Sequence, residues 1–390
     1  MSNTMLKSTP PHLEITDDRA KMEEIGRKIF AKKPEIYNER LMAVLNRNVD
    51  KYLPNATAEE KESALYRSIY DYWVHGNSIM EEFQFDFPNK THAQKSEYIT
   101  MRKHVLNLQH LNDEEDSKRL LDDKYGAYKF LKEYYRRDAI LITGENDYEN
   151  FCAFAKKHSV FVVKPLNMAF GLYVYKESVD NYKSLRELFD NLLEKIKTWG
   201  NDKTRDSLLQ VNSDVNIILE ELIEQVPEMA AVHPASLNFI RVTTIKRGDD
   251  VSIIFPYFSI GIENNFVNNM SFGYYAVIDL ETGVVQTGLF DKKEFSVNSF
   301  ERHPITNFPV RGFKIPQWDE LISMAKELAR KFDTINYIGW DLALTPKGWC
   351  VIEGNSKGGI SSVQIRKGKG ILKEFEQLIG WKYDKEFWWQ

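Results

Sequence analysis

The segment from residue 337 to 355 constrains the fold most, because it places a short turn between two β-rich runs. The turn is TPKG (345–348), and the runs on either side are YIGWDLAL and WCVIEGN. This pattern predicts an antiparallel β-hairpin. If the loop is centred on its lysine, Asp341 and Glu353 lie opposite one another, and the period of two puts Asn355 on the same face.

The two faces of this hairpin differ in chemistry. The same alternation predicts that Leu342, Leu344, Cys350 and Ile352 form an apolar core face. On the other face, directly opposed carboxylates lie about 4.5–5.5 Å apart at Cβ and repel unless a cation or a proton intervenes. Carboxylate and amide oxygens are the hard ligands that Mg²⁺ prefers. The pattern predicts a magnesium site, while a solvated acidic face would show the same spacing.

Two further segments carry groups that suit a nucleotide. The run SVFVVKP (159–165) is typical of a buried strand ending in Lys164, and the loop 166–171 follows it. A lysine beside loop N–H groups can hold a phosphate, although strand-end lysines are more often solvated. The strand 215–219 leads into residues 220–223, whose extended backbone could bond an adenine edge or could be an ordinary strand end.

Arg241 falls in the middle of the predicted strand SLNFIRV, where an unpaired guanidinium is costly to bury. We therefore predict a carboxylate or phosphate partner, which leaves a structural role open. After the hairpin acids, Lys357, Gln364 and Arg366 could hold an anionic substrate or could belong to an ordinary basic loop.

The pattern of apolar residues divides the chain into three predicted parts of an α+β protein. Helical spacing dominates a first region, residues 1–115, while helices alternate with strands over 116–215 and strands dominate 216–390. A formal net charge of -5 with mixed signs argues against a nucleic-acid partner. No apolar run is long enough for a membrane span, so we expect a cytoplasmic protein, with a homodimer left open.

The ordered set Lys124 and Lys129, FVVKP, IILEELIEQ, HPASLNFIRV, IGWDLAL and VIEGN resembles the ATP-grasp superfamily over roughly residues 120 to 380. HPASLNFIRV and GWDLALTPKGWCVIEGN resemble the subgroup found with sugar-transfer and cell-surface polysaccharide genes. The resemblance implies an ATP-grasp fold, in which two α+β subdomains hold ATP and Mg²⁺, preceded by a helical N-terminal region.

The resemblance also implies a role for individual residues. It assigns nucleotide contacts to Lys129, Lys164, Gly171, Glu220, Glu221, Leu222, Ile223 and Glu228, metal contacts to Asp341, Glu353 and Asn355, and substrate contacts to Asn238, Lys357, Gln364 and Arg366. The catalytic cations would be Lys164 and Arg241. Two positions depart from the glycine-rich pattern, since Tyr173 follows Gly171 in the flap and Phe272 lies in the loop 264–273.

The implied reaction is ADP-forming ligation of a small-molecule carboxylate to an amine through an acyl phosphate. The subgroup points to a sugar acid or amino acid, with or without a sugar attached, in cell-surface polysaccharide biosynthesis. Two alternatives stay open: a small-molecule or sugar kinase that releases a phosphorylated product, and a catalytically idle nucleotide-binding scaffold, which the glycine-poor flap would suit.

Overall fold

The computed structural model describes residues 13–166, 173–200, 215–262, 273–291 and 299–382. Gly171 and the predicted loop residues 264–272, with Phe272 among them, lie outside these ranges. No helix in the described ranges is both long and apolar enough to cross a membrane.

Helices and strands both contribute to the fold, with helices concentrated before residue 131. The helices are α1 (Arg19–Lys32), α2 (Glu39–Tyr52), α3 (Ala58–His75), α4 (Ile79–Gln84), α5 (His92–Ser96), α6 (Met101–Leu111), α7 (Glu114–Ser117), α8 (Lys124–Phe130), α9 (Lys132–Tyr135), α10 (Tyr148–Lys157), α11 (Leu185–Gly200), α12 (Pro227–Ala230), α13 (Trp318–Arg330), α14 (Ser361–Lys367) and α15 (Leu372–Ile379). The strands are β1 (Ala139–Ile142), β2 (Val160–Pro165), β3 (Tyr175–Ser178), β4 (Ile217–Glu221), β5 (Phe239–Arg247), β6 (Asp250–Ile260), β7 (Tyr274–Val277), β8 (Leu289–Asp291), β9 (Ser299–Phe300), β10 (Tyr337–Thr345) and β11 (Gly348–Asn355).

The chain forms two compact units. Within the described residues, one unit groups 13–110 with 359–382, and the other spans 111–358. Helices α14 and α15 therefore belong with the N-terminal helices, although they follow the hairpin directly in sequence. The three-part division at residues 115 and 215 stays a prediction.

The helical unit is built around α3. Thr57 and Glu60 close a capping box at its start, and Gly76 ends it with φ 75°, a left-handed conformation that glycine adopts readily. Trp73, on the same helix, is 1 % exposed within an apolar cluster. A Cβ at Gly26 of α1 would lie 2.0 Å from a backbone oxygen of α3, so glycine is required for the close approach of these helices.

The second unit contains two antiparallel sheets. The smaller sheet has the order β1-β4-β2-β3, and the larger has the order β11-β10-β5-β6-β7-β8-β9. Apolar side chains of α10 and α11 share one buried cluster with the smaller sheet, and those of α13 share another with the larger sheet. This arrangement confirms the predicted α+β class.

The β10–β11 hairpin has the predicted pairing of Asp341 with Glu353, but with a shorter turn and a β-bulge. Asp341 lies opposite Glu353. The turn has only two residues, since Thr345 pairs with Gly348, and a regular ladder would then place Asp341 opposite Ile352. A β-bulge at Ile352 adds one residue to β11 and restores the acidic pair.

The two-residue turn changes which residues of β11 face the core. Cys350 and Ile352 were expected there with the two leucines of β10, and this expectation is wrong. The core cluster contains those leucines together with Trp349 and Val351. The physical reason is that a turn shorter than expected by one residue exchanges the two faces of β11 up to the bulge.

Asn112 fixes the start of β10 through four hydrogen bonds. Its Nδ2 donates to the carbonyls of Tyr337 (2.8 Å) and Ser356 (3.0 Å), and its Oδ1 accepts from the backbone N–H groups of Asn336 (2.9 Å) and Tyr337 (2.8 Å). Asn112→Ala leaves these buried groups unpaired, so we expect a loss of about 3 kcal/mol in unfolding free energy. Urea denaturation followed by circular dichroism measures it.

Asn48→Ala is the matched control for this variant. Asn48 is half-buried on α2, and its side chain donates one exposed hydrogen bond to a carbonyl of its own helix. We expect its loss to change the free energy by less than about 0.5 kcal/mol. Equal urea midpoints for the two variants would contradict the role given to Asn112.

Candidate active site

Glu220 is the centre of a buried charge cluster in the smaller sheet. Its carboxylate accepts from Lys164 Nζ at 2.7 Å and from Arg137 Nε at 3.0 Å. Burial would raise the pKa of Glu220, but Arg137 and Lys164 outweigh it and lower the pKa to about 2. Glu220 is therefore ionised at neutral pH and holds Lys164 in place at the end of β2.

Arg137 connects this cluster to the larger sheet. Its guanidinium donates to the backbone carbonyls of Val351 and Ile352, in and beside the bulge of β11. Because β11 is the edge strand, the carbonyls on its outer side have no neighbouring strand to bond. One buried arginine thus supplies their donors and also neutralises Glu220.

Lys124, at the start of α8, lies between the two sheets. Its Nζ donates to the carbonyl of Leu166, directly after β2, at 3.1 Å. Burial lowers the pKa of Lys124. The Lys164 ammonium lowers this pKa further, while the carboxylates of Glu353 and Glu220 raise it in part. The Lys124 ammonium therefore interacts electrostatically with Lys164 of the smaller sheet and with Glu353 of the larger sheet.

Lys129, which the sequence assigned to the phosphates, lies in a different environment. It is exposed, and its ammonium lies 5.2 Å from the centre of the Tyr125 ring. Among the described residues it makes no hydrogen bond or ion pair with the other assigned side chains. Of the two lysines in the motif, Lys124 is the one that the structure brings to the cluster.

The predicted hinge leaves β4 in an extended conformation. The backbone N–H of Glu221 donates to the Asp138 carbonyl at 2.9 Å, and the Glu221 carboxylate accepts from the backbone N–H of Asp138 at 3.0 Å. Within the described residues, the backbone groups of Leu222 and Ile223 make no hydrogen bond, and Leu222 is exposed. Glu228 lies further on, exposed in the first turn of α12.

Arg241 has the carboxylate partner that its mid-strand position predicted. It pairs with Asp341 across β5 and β10, and its guanidinium donates to both carboxylate oxygens, from Nε and, at 2.7 Å, from Nη2. Burial opposes a charged guanidinium, but Asp341 outweighs it and raises the pKa of Arg241. The Nη1 group makes no hydrogen bond among the described residues, and a Cβ at Gly339 would lie 3.4 Å from it.

Glu353 and Asn355 lie beside this ion pair. Asn355 Nδ2 donates to Glu353 Oε1 and to the Gly339 carbonyl, each at 3.3 Å, which leaves the amide oxygen for another partner. Both carboxylate oxygens of Asp341 accept hydrogen bonds from Arg241. Two carboxylates and an amide oxygen on one face have the donor chemistry of a Mg²⁺ site, so these residues fit that ion.

The four residues assigned to substrate occupy different settings. Asn238 is fully buried, and its Nδ2 donates to three acceptors, the side chain of Gln225 and the carbonyls of Met229 and His233. Gln364 is also buried, in the helical unit, and exchanges two 2.8 Å hydrogen bonds with the backbone of Ile99.

These contacts give Asn238 and Gln364 structural roles, because their amides hold the backbone of their own units. Lys357 is exposed, 3.8 Å from Asp122, and Arg366 is half-buried on α14. Only the latter two present charge that a substrate could use.

Tyr173, where the sequence pattern leads one to expect a second glycine, adopts a backbone conformation typical of glycine. Its φ of 58° lies in the left-handed region that glycine favours. The ring stacks on Trp199, with centroids 5.0 Å apart and planes at 20°. Aromatic stacking of this kind offsets part of the backbone strain.

Sequence reasoning missed two members of the cluster. Lys124 stood in the motif but received no role, because its helical spacing could not show that it lies nearer the acids than Lys129. Arg137 received none either. The signal available was an arginine two residues before the apolar strand β1, where a buried guanidinium needs a carboxylate partner.

Comparison with known proteins supports the same interpretation. Residues 108–379 match the model of a family described as sugar-transfer associated ATP-grasp. A search of the curated proteins found no match.

Three solved structures are similar to part of this chain. D-alanyl-alanine synthetase A from Vibrio cholerae is 11% identical, with a TM-score of 0.39 over 70% of this chain and 63% of that one. The D-alanine-D-alanine ligase from Coxiella burnetii is 10% identical, with a TM-score of 0.40 over 72% and 65%. Phosphoribosylamine-glycine ligase from Thermotoga maritima is 13% identical, with a TM-score of 0.41 over 70% and 58%. The match spans about three fifths of each of these structures.

The family match covers more than half of the chain and includes both sheets and the hairpin acids. It confirms the resemblance inferred from the motifs and the ATP-grasp fold of the second unit. ATP and Mg²⁺ are the cofactors of ATP-grasp ligases, as the sequence predicted. This chain belongs to the sugar-transfer associated ATP-grasp family.

Proposed function

We propose that this protein is an ADP-forming ligase that joins a carboxylate to an amine. The observation that carries the proposal is the position of Lys124, whose ammonium donates to the Leu166 carbonyl directly after β2 at 3.1 Å and interacts electrostatically with Glu353 of the larger sheet and with Lys164 and Glu220 of the smaller one. Cations suited to phosphates and oxygens suited to a metal ion are therefore neighbours within one unit.

The nucleotide would lie along this cluster. The backbone groups of Leu222 and Ile223, which make no hydrogen bond among the described residues, suit the edge of an adenine. Lys124 and Lys164 suit the phosphates, since an ammonium is a compact charge with three donors. Glu228 is retained as the proposed ribose contact.

The hairpin acids supply the metal site of the proposal. Asp341, Glu353 and Asn355 would hold Mg²⁺, which when bound offsets negative charge on the nucleotide phosphates. Arg241 directs the Asp341 carboxylate through two hydrogen bonds, and its Nη1, which makes no hydrogen bond among the described residues, is available to a phosphoryl oxygen.

The proposed reaction has two steps. A substrate carboxylate oxygen attacks the γ-phosphorus of ATP, the bond from that phosphorus to the bridging oxygen breaks, and ADP leaves. The amine nitrogen then attacks the acyl carbon of the resulting acyl phosphate, the carbon–oxygen bond to phosphate breaks, and the nitrogen loses a proton to solvent. Lys124, Lys164 and Arg241 stabilise the negative charge that develops on the transferred group.

The family name and the motifs support a substrate class. A sugar acid or amino acid carboxylate and an amino compound, within cytoplasmic steps of cell-surface polysaccharide biosynthesis, agree with a family associated with sugar transfer. Lys357 is the proposed contact to an anionic substrate in the second unit, and the assignment of Arg366, in the helical unit, stays a prediction from the sequence. The proposal leaves out Asn238 and Gln364, whose side chains hydrogen-bond the backbone.

The two lysines of the motif give a direct test of the nucleotide site. Lys124→Ala removes a half-buried cation next to Lys164, so we expect ATP affinity in the presence of Mg²⁺ to fall about 10-fold or more. Lys129→Ala removes an exposed cation and serves as the matched control, with affinity unchanged within about two-fold. Isothermal titration calorimetry measures both, and a larger loss in the Lys129 variant would contradict the assignment.

Glu353→Gln tests the metal site while keeping side-chain size. Loss of a carboxylate ligand should reduce Mg²⁺-dependent ADP release by about 100-fold or more, because metal affinity and charge compensation both weaken. The assay couples ADP release to NADH oxidation over a panel of sugar acids and amino acids with amines. Glu320→Gln, an exposed change on α13, is the control, and wild-type turnover in Glu353→Gln would refute the metal assignment.

The same assay separates the ligase from the alternatives. ADP release that requires both a carboxylate and an amine supports the ligase. Release that requires only an acceptor hydroxyl and leaves a stable phosphorylated product identifies a kinase. Tight ATP binding with no release across the panel supports a scaffold.

A further inference from the structure

Three side chains with metal-binding groups meet at one end of the smaller sheet. They are Asp138, His158 and Glu221, and one ligand atom from each lies within 4.8 Å of the other two. Within the described ranges, no other group of three or more His, Cys, Asp or Glu side chains converges in this way. Two carboxylates and an imidazole together have the donor chemistry to bind one divalent ion.

Each of the three residues lies where a helix or a strand begins or ends. Asp138 directly precedes β1, Glu221 is the last residue of β4, and His158 directly follows α10. Both β1 and β2 pair with β4 in antiparallel fashion, so the starts of these two strands lie beside the end of β4. Regular elements hold ligand groups more precisely than loops do.

Hydrogen bonds already bring the three side chains into close contact. His158 Nε2 lies 2.9 Å from Asp138 Oδ2, and the Glu221 carboxylate accepts from the backbone N–H of Asp138 at 3.0 Å. The His158 ring also packs on Phe154, with ring centroids 4.8 Å apart. Ligand atoms of a tetrahedral zinc site lie about 3.3 Å apart, so the imidazole and the carboxylate need to move very little.

Both carboxylates are accessible and keep one oxygen for a metal ion. Asp138 Oδ1 and Glu221 Oε1 accept no hydrogen bond from any described residue. The side chains of Asp138 and Glu221 are 40% and 28% exposed, and that of His158 is 11% exposed. An ion from solvent can therefore reach all three ligands.

Two exposed lysines balance the acidic charge of this cluster. Lys157 Nζ donates to Asp138 Oδ2, and Lys347 Nζ lies 3.6 Å from Glu221 Oε1. The lysine side chains are 67% and 66% exposed, and ion pairs this exposed contribute little to stability. A divalent ion can displace both ammonium groups into solvent, because its two charges replace theirs.

We propose that Asp138, His158 and Glu221 bind Zn²⁺, with a water molecule as the fourth ligand. An imidazole ligand favours Zn²⁺ over Mg²⁺ and Ca²⁺, which prefer oxygen ligands. Three protein ligands leave one position of a tetrahedral zinc site to water. The site is separate from the proposed Mg²⁺ site, whose ligands lie on the β10–β11 hairpin, and it does not depend on the ligase activity proposed above.

Calorimetric titration of the full-length protein with ZnCl₂ tests the proposal, after EDTA treatment and with excess Mg²⁺ present to occupy the hairpin acids. We expect a single zinc site. His158→Gln keeps a polar side chain beside Asp138 but removes the imidazole, so Zn²⁺ affinity should fall about 10-fold or more. His110→Gln makes the same change at an exposed histidine of the helical unit and should leave the affinity unchanged.

Lys157→Met distinguishes a metal site from a cluster with a purely structural role. It removes the ammonium that competes with the ion for Asp138, so Zn²⁺ affinity should rise about two-fold or more. Lys156→Met, at the preceding exposed residue of α10, is the matched control and should change the affinity less. An ion pair with only a structural role predicts no gain in the Lys157 variant.

Cobalt gives a spectroscopic readout of the same site. Co²⁺ accepts the same ligands as Zn²⁺, and its visible absorption bands report the coordination by the protein. We expect these bands in the wild type with Mg²⁺ present, and their loss in His158→Gln. If His158→Gln does not fold by circular dichroism, Asp138→Asn, which keeps the size of the side chain, provides the second test.

Three results would contradict the proposal. They are no Zn²⁺ binding by the wild type, an equal effect of His158→Gln and His110→Gln, and loss of Zn²⁺ binding in Glu353→Gln, which would assign the signal to the hairpin acids. Because ADP release is measured with Mg²⁺ and without zinc, failure of either proposal leaves the other intact.

Discussion

The buried ion pair between Arg137 and Glu220 holds the second unit together at the point where its chemistry lies. Glu220 needs strong compensation to remain ionised inside the protein, and two cations supply it. One is Lys164, which is thereby fixed at the end of its strand. The other is Arg137, whose remaining donors reach the outer carbonyls of β11. A single guanidinium thus links the small sheet to the strand that carries Glu353 and Asn355.

In the larger sheet, a buried carboxylate is likewise neutralised by an arginine, and both residues lie on strands of that sheet. Arg241 and Asp341 face each other across β5 and β10 and neutralise one another, so a charged pair persists in the middle of a sheet. The β-bulge of β11 then brings Glu353 beside them. Like charges are adjacent there because a cation is already present, and a metal ion would complete the compensation.

The sequence by itself determined what depends on local periodicity and on the free energy of burying charge. The strand–turn–strand pattern predicted that Asp341 and Glu353 pair in one hairpin, and a guanidinium in mid-strand required the carboxylate that Arg241 has. Tertiary structure alone decided the short hairpin turn that changed the core face of β11, the bulge at Ile352 that restored the acidic pair, and the choice of Lys124 over Lys129. Each depends on contacts between residues far apart in the chain, such as Arg137 with Val351. Patterns along the chain carry no record of those distances, because the same spacing is compatible with several packings.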